Sequence, residues 1–277
     1  MLIDALLDLT AENQVVITTH TPMLARTLPD KRLCYIHQKT DGTREVLRGG
    51  GETNRLFAKS LGVLPDNSIK LFVGVEGRHD IAFLKHMSKV LRNEGIDVID
   101  LESMELNGEL IFFPLGGSSL ALWTSRLEPL SRPEFHLFDR DNEPPKPAIY
   151  QAEADAINQR ERCKALITGK KEIENYLHFE AINEAYARFN IITGMSDNFS
   201  DFDDVPTLVA ERVHAVSDST KQWSDLTKDI RERKISRAKN HLNTVAASLM
   251  SKFRLDRVDH EGHIMEWFSH MKQLIDV

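Results

Sequence analysis

Apolar positions along the first two thirds of the chain switch between two periods, and that rhythm is the first guide to the fold. Residues 71–75 (LFVGV) form a short apolar run of strand length, and 110–114, 135–138 and 163–168 also read as short strands. An unbroken run of that kind suits a strand covered on both faces. Residues 96–101 are a further strand candidate. Between the runs, 80–92 gathers Ile81, Leu84, Met87, Val90 and Leu91 on one side of a helix, and 118–127 and 148–162 also read as helices. Strand and helix in alternation predict a mainly parallel α/β sheet. Upstream, Leu2, Ile3, Leu6, Leu7 and Leu9 suit an amphipathic helix, and 15–19 is a short β-rich run. A helix starts at Thr21-Pro22, another spans 53–61, and Pro65-Asp66-Asn67 marks a boundary. The runs 32–38 and 44–47 predict a hairpin about Asp41-Gly42. Beyond Glu172 the pattern turns helical, with helices expected at 206–216, 221–233, 235–253 and 261–275. There are no internal repeats or low-complexity tracts.

Composition narrows the class. The 277 residues can form one large domain or two modest ones, and 41% hydrophobic with 28% charged residues is ordinary for a globular protein. No apolar run approaches the roughly 20 residues that cross a bilayer, and the acidic MLIDALLDLTAENQ start lacks the basic opening of a signal peptide. Cys34 and Cys163 form no CxxC pair, which argues against a cysteine-rich zinc site and fits a reducing, cytoplasmic location. The net charge of −7 argues against a surface that grips nucleic acid all round. Acids gathered for metal lower that number, however, and a basic face can be local. Residues 228–257 hold nine Lys or Arg against three acids. That stretch is either a phosphate-attracting face or a solvated helix surface.

Four short sequences carry candidate chemistry. In VEGRHD, Glu76 ends a strand and Asp80 follows in the first helical turn, so both can meet beyond the carboxyl edge of the sheet. Gly77 is expected to permit the tight turn between them. In FDRD, Asp139 and Asp141 stand at i and i+2, which on an extended chain face one side. Two carboxylates so placed repel unless a cation lies between them, and hard divalent ions favour such oxygens. In PLGGSS, Gly116, Gly117 and Ser118 lie between strand and helix, where exposed N–H groups suit phosphate; a plain tight turn is the alternative. In KEIENYL, Glu174 can add a ligand or serve the helix dipole. Arg78 and Arg140, lying among the acids, can meet phosphate or form structural ion pairs.

Strand-Glu-turn-helix, strand-Gly-Gly-helix and strand-Asp-x-Asp, in this order, make the layout of the Toprim domain, and VEGRHD, PLGGSS and FDRD resemble its motifs. KEIENYL resembles more specifically the OLD (overcoming lysogenization defect) nucleases, which are ABC-type ATPases with a C-terminal Toprim nuclease. The resemblance covers about residues 1–250 and is strongest over 69–180. VVITTHTP at 15–22 resembles an ABC switch segment, with His20 at the position that senses the γ-phosphate. A GxxxxGK[ST] loop, a Walker B strand and a signature sequence are missing, so no ATPase activity is expected of these residues. A fragment cut inside its ATPase domain is expected, with a natural truncation the alternative.

The resemblance implies an ATPase remnant at 1–66, a Toprim domain of Rossmann-like, mainly parallel α/β fold at 67–180, and a helical domain at 181–277. It implies a DNA endonuclease or nickase using two divalent ions, Mg2+ or Mn2+. Glu76 and Asp80 would hold one ion and Asp139 and Asp141 the other, with Glu174 assisting and Gly116, Gly117 and Ser118 near the phosphate. It also implies a lysine from the C-terminal helices; Lys239 is the first choice and Lys234 the second. Implied partners are DNA, a second copy joined through the missing ATPase domain, and a helicase, with no membrane; implied roles are phage defence or DNA repair. The competing reading is a catalytically silent nucleic-acid-binding or assembly module. Primase and topoisomerase activities are less favoured, since neither a zinc module nor strand-passage machinery is visible. HEGH at 260–263 lacks HExxH spacing. His79 and His136 flank the acids as ordinary neighbours, and Trp223 and Trp267 are expected in the core rather than as base-stacking platforms.

Overall fold

The computed structural model describes residues 15–18, 34–38, 43–48, 69–114, 132–217 and 219–276. The chain divides into two units, 1–69 with 104–109 and 70–103 with 110–277. In the first, β1 (Cys34–Gln38) and β2 (Arg44–Arg48) pair antiparallel with Gln38 opposite Arg44. This is the hairpin expected about Asp41-Gly42. Residues 15–18, expected as strand, belong to no regular element, and Val16 is 79% exposed. Among the described residues no strand pairs with them, and an apolar run without a ladder has nothing to hold it extended. The helices expected near 2–9, 21–28, 53–61 and 118–127 lie outside the described residues, as do His20, Gly116, Gly117 and Ser118.

The second unit is built on β3 (Leu71–Val75), β4 (Leu110–Pro114), β5 (Glu134–Phe138) and β6 (Cys163–Ile167), all parallel, in the order β4-β3-β5-β6. Every residue of the two central strands β3 and β5 is buried, which explains the unbroken apolar run of β3; in β5 the polar Glu134 and His136 are buried by pairing with each other, 2.9 Å apart. Helix α1 (Arg78–Asn93) buries Phe83, Leu84, Met87 and Leu91 and packs on β3. The expected strand at 96–101 is instead an approach to helix α2 (Leu101–Leu106), because Asp100 Oδ1 accepts from the Ser103 N–H at 3.0 Å as its cap. Helix α3 (Gln151–Asn158) is shorter than the expected 148–162 and sets Ala154 and Ile157 against Phe138 and Ala165. Its last side chain, Asn158, accepts from the Ala165 N–H at 2.8 Å and donates to the Ala165 carbonyl at 3.0 Å. Both bonds turn the side chain toward β6 where the helix stops.

The rest is helical: α4 (Phe179–Ala187), α5 (Val205–Ala215), α6 (Lys228–His241), α7 (Lys252–Asp256) and α8 (His263–Asp276). The break expected near 234 does not occur. That stretch has no Gly or Pro to stop it, and α6 runs on into a π segment, Leu242–Ala246, and a 3₁₀ turn, Ala247–Leu249. Helix α8 returns to the sheet and buries Ile264, Trp267, Phe268 and Met271 against β3, β5 and β6. Trp267 is therefore a core residue, 1% exposed. No helix among the described residues is long and apolar enough to cross a membrane. Adjacency of β3 and β5 brings their carboxyl ends side by side, and there the acids collect.

Candidate metal centre

Glu76 leaves the end of β3, and its Oε1 accepts the Asp139 backbone N–H at 3.0 Å, just past the end of β5. One hydrogen bond thus ties together the first two motifs across 63 residues. Asp80, 6% exposed, lies in the first turn of α1, and its Oδ2 accepts the Gly77 N–H at 2.7 Å. Asp80 therefore caps its own helix as well as facing the cluster. Gly77 is not needed for its flexibility: its φ of −161° is extended, and a Cβ there would meet nothing within 4 Å.

Asp139 and Asp141 do not share one face of an extended chain. β5 ends at Phe138, and Asp141 takes a left-handed φ of 56°, a conformation Asp adopts more readily than most residues. Its N–H donates to the Lys171 carbonyl at 2.9 Å. Asp139 is buried and Asp141 exposed, yet Asp141 stays near enough to raise the pKa of Glu76. Arg78 and Arg140 form no salt bridge among the described residues; the Arg140 N–H donates to Thr168 Oγ1 at 2.9 Å. His136 is removed from the acids, its Nε2 lying 2.9 Å from Glu134 Oε2 in a buried pair that Arg160 completes.

Glu174 sits in a 3₁₀ turn, Ile173–Tyr176, and is fully buried. Its Oε1 accepts from Asn243 Nδ2 at 2.6 Å and lies 3.4 Å from Lys239 Nζ. Lys239 Nζ also donates to Glu172 Oε2 at 2.8 Å. The ammonium reaches the acids from α6, whereas Lys234 lines a separate cleft. Glu172 and Asn243 escaped the sequence reading. Glu172 was visible in KEIEN as the partner of Glu174 at i−2, and Asn243 as the i+4 neighbour of Lys239 on one helix face. The π segment begins beside it, as such segments often do at functional sites.

The electrostatics follow from burial. Glu76 is pushed up to about 7, first by burial and then by Asp141 and Asp80, against the Asp139 N–H. Burial also raises Asp80, and it lifts Asp139 well above the carboxylate range, helped by Asp80, Glu76 and Glu174. Glu174 rises to about 8 through burial and then Glu172, opposed by Lys239 and Asn243. Burial works against the charge on Lys239, but Glu174 and Glu172 outweigh it and hold its pKa above the usual value. The acids therefore form one mutually coupled cluster, and among the described residues Lys239 is the one ammonium bonded to it.

Does this set suit hard divalent cations? Glu174 Oε2 is buried with no hydrogen-bond partner among the described residues, as expected of an oxygen that awaits a cation. The donors are all carboxylates, the chemistry that Mg2+ and Mn2+ prefer. Against this, no three His, Cys, Asp or Glu side chains among the described residues stand ready to enclose an ion. The donor chemistry fits, and loading would require the side chains to close in.

A parallel α/β sheet flanked by helices, with a helical region after it and acids past its two central strands, is a Toprim-like fold. The structure is similar to the C-terminal region of the Xanthomonas campestris pv. campestris OLD protein. Against the platinum-phased structure the TM-score is 0.43 at 16% identity, covering 75% of this chain and 94% of that one. Against the mercury-phased structure it is 0.43 at 15% identity, covering 75% and 97%. No family model matches the sequence, and no curated protein matches it.

Proposed function

We propose that this chain is a divalent-metal-dependent nuclease that hydrolyses phosphodiester bonds in DNA. The observation that carries the reading is the hydrogen bond from Asp139 to Glu76, which joins two acidic motifs at one sheet edge with Asp80 and Glu174 close by. Glu76, Asp80, Asp139, Asp141 and Glu174 would hold two ions, Mg2+ or Mn2+. Bound there, such ions supply an acidified water and charge for the leaving oxygen. Because Glu76, Asp80, Asp139 and Glu174 hold protons unusually tightly, loading would release protons and would favour alkaline conditions. Lys239 neutralises Glu172 and Glu174 in the metal-free chain and stands where a phosphate's negative charge would arrive. Gly116, Gly117 and Ser118 remain candidates for phosphate contact on sequence grounds.

One observation favours the second reading, a silent binding or assembly module. Lys239 already pairs with two of the acids, and a cluster neutralised by its own lysine has less need of metal. Incubation of supercoiled plasmid with Mg2+, Mn2+ or EDTA separates the two. Cleavage that requires metal and falls at least about 100-fold in Asp139→Asn supports the nuclease. Intact plasmid under every condition supports the silent module.

A further inference from the structure

Helix α6 presents two working faces. Lys239 and Asn243 reach the acids, whereas Lys234, Arg237, Ala238 and His241, spaced i, i+3, i+4 and i+7, share another stripe. That stripe lines a cleft of about 300 Å3, walled opposite by Tyr186 and Phe189 at the end of α4 and by residues of α5. The cleft is aromatic. Tyr186 and His241 have ring centroids 4.4 Å apart, and Phe189 meets the same imidazole edge-on at 5.1 Å. Phe189 is 62% exposed, an apolar ring held at the wall rather than in the core. Neither Lys234 nor Arg237 pairs with a carboxylate of the described residues, although nine other Lys or Arg side chains do. Burial lowers the pKa of His241, so near neutral pH its ring adds no charge beside the cations.

Aromatic surface next to unpaired cations complements the two halves of a nucleotide, a flat base and an anionic phosphate. The volume is at the small end of ligand pockets, which start near 300 Å3. That leaves room for one base and none for a duplex, whose bases are stacked away from such a slot.

We propose that this cleft receives one unstacked base from a single-stranded stretch of nucleic acid, with the adjoining phosphate at Lys234 and Arg237. This occupant presupposes the nuclease reading and deepens it: a strand held there would lie against the helix whose other face carries Lys239 to the acids.

The test uses the full chain in EDTA, so that binding is read without cleavage. Fluorescence anisotropy follows a labelled oligothymidylate about 12 nucleotides long, within the usual span of a single-strand site. An abasic strand of equal length and charge is the comparison. Wild type is expected to prefer the base-bearing strand. Phe189→Ala, at a largely exposed position, should weaken that strand about tenfold and leave the abasic one unchanged. Lys234→Gln with Arg237→Gln should weaken both and reduce the slope of log affinity against log salt by about 0.7, the share of one phosphate. Absence of oligonucleotide binding, equal affinity for the two strands, or unchanged affinity in Phe189→Ala would each overturn the proposal. A chain that cuts plasmid but shows no base preference loses the cleft and keeps the nuclease. A base preference in a chain that cuts nothing gives the reverse.

Discussion

Replacing Lys239 by methionine keeps most of the side-chain volume and removes the only ammonium found bonded to the acid cluster among the described residues. Glu174, with its side chain 0% exposed, is then left without that partner, while Glu172 retains some contact with solvent at 13%. Breaking a fully buried ion pair from one side costs roughly 3–5 kcal/mol; because the Lys239 side chain is 30% exposed, the low end, about 3 kcal/mol, applies. The loss should be greatest in EDTA at pH 8, where Glu174 is substantially ionised. At pH 5.5, well below its raised pKa of about 8, Glu174 is protonated and the loss should shrink. Urea unfolding followed by the fluorescence of buried Trp267 measures both conditions. Adding Glu174→Gln to Lys239→Met should recover most of the deficit at pH 8. A deficit below about 0.5 kcal/mol at pH 8, the size of an ordinary surface substitution, would refute the view that this lysine balances a buried charge.

Three further outcomes follow from the same geometry. Glu76 and Glu174 have folded-state pKa values raised to about 7 and about 8, so the stability they confer is full below their unfolded values near 4.5 and is lost as pH rises through 7 to 8; the metal-free chain should weaken over that window, and Mg2+ should restore its melting temperature at pH 8 but not at pH 5. Asn243→Leu removes the donor to Glu174 Oε1 and should cost about 2 kcal/mol in urea unfolding at pH 8, and less at pH 5. Arg254→Ala removes bonds to Glu180, Glu184 and the Leu249 carbonyl between α4 and the start of α7; its partners are half-exposed, so calorimetry should show a loss of only about 1 kcal/mol.

The sheet was legible where apolar runs were short and unbroken. Leu71–Val75 stands where the pattern placed it because a strand buried on both faces needs apolar residues throughout; β5 begins one residue before the expected 135–138, with Glu134 and His136 buried as a pair, and Glu76 and Asp139 directly follow the two strands. Residues 96–101 misled because Ile96, Val98, Ile99 and Leu101 have strand-like chemistry while Asp100 acts locally as a helix cap. Asp141 misled in another way. Spacing at i and i+2 implies a shared face only while the chain stays extended, and a left-handed turn is invisible in the letters DRD. The link between Lys239 and Glu172 lay beyond any local reading, since periodicity assigns a residue to a helix face but not to the partner that face will meet.

The ion pair between Lys239 and Glu172 closes late in synthesis because its two partners lie far apart along the chain. A ribosome delivers Glu76, Asp139 and Glu174 before α6, and Lys239 trails Glu172 by 67 residues. Domains tend to consolidate from the N-terminus during synthesis, so a nascent sheet would hold its carboxylates with no internal cation until the last third emerged. A chain cut off before Lys228 would lack the ammonium that meets Glu172 and Glu174, so the final helices help to settle the acids that the sheet and the turn after it bring together.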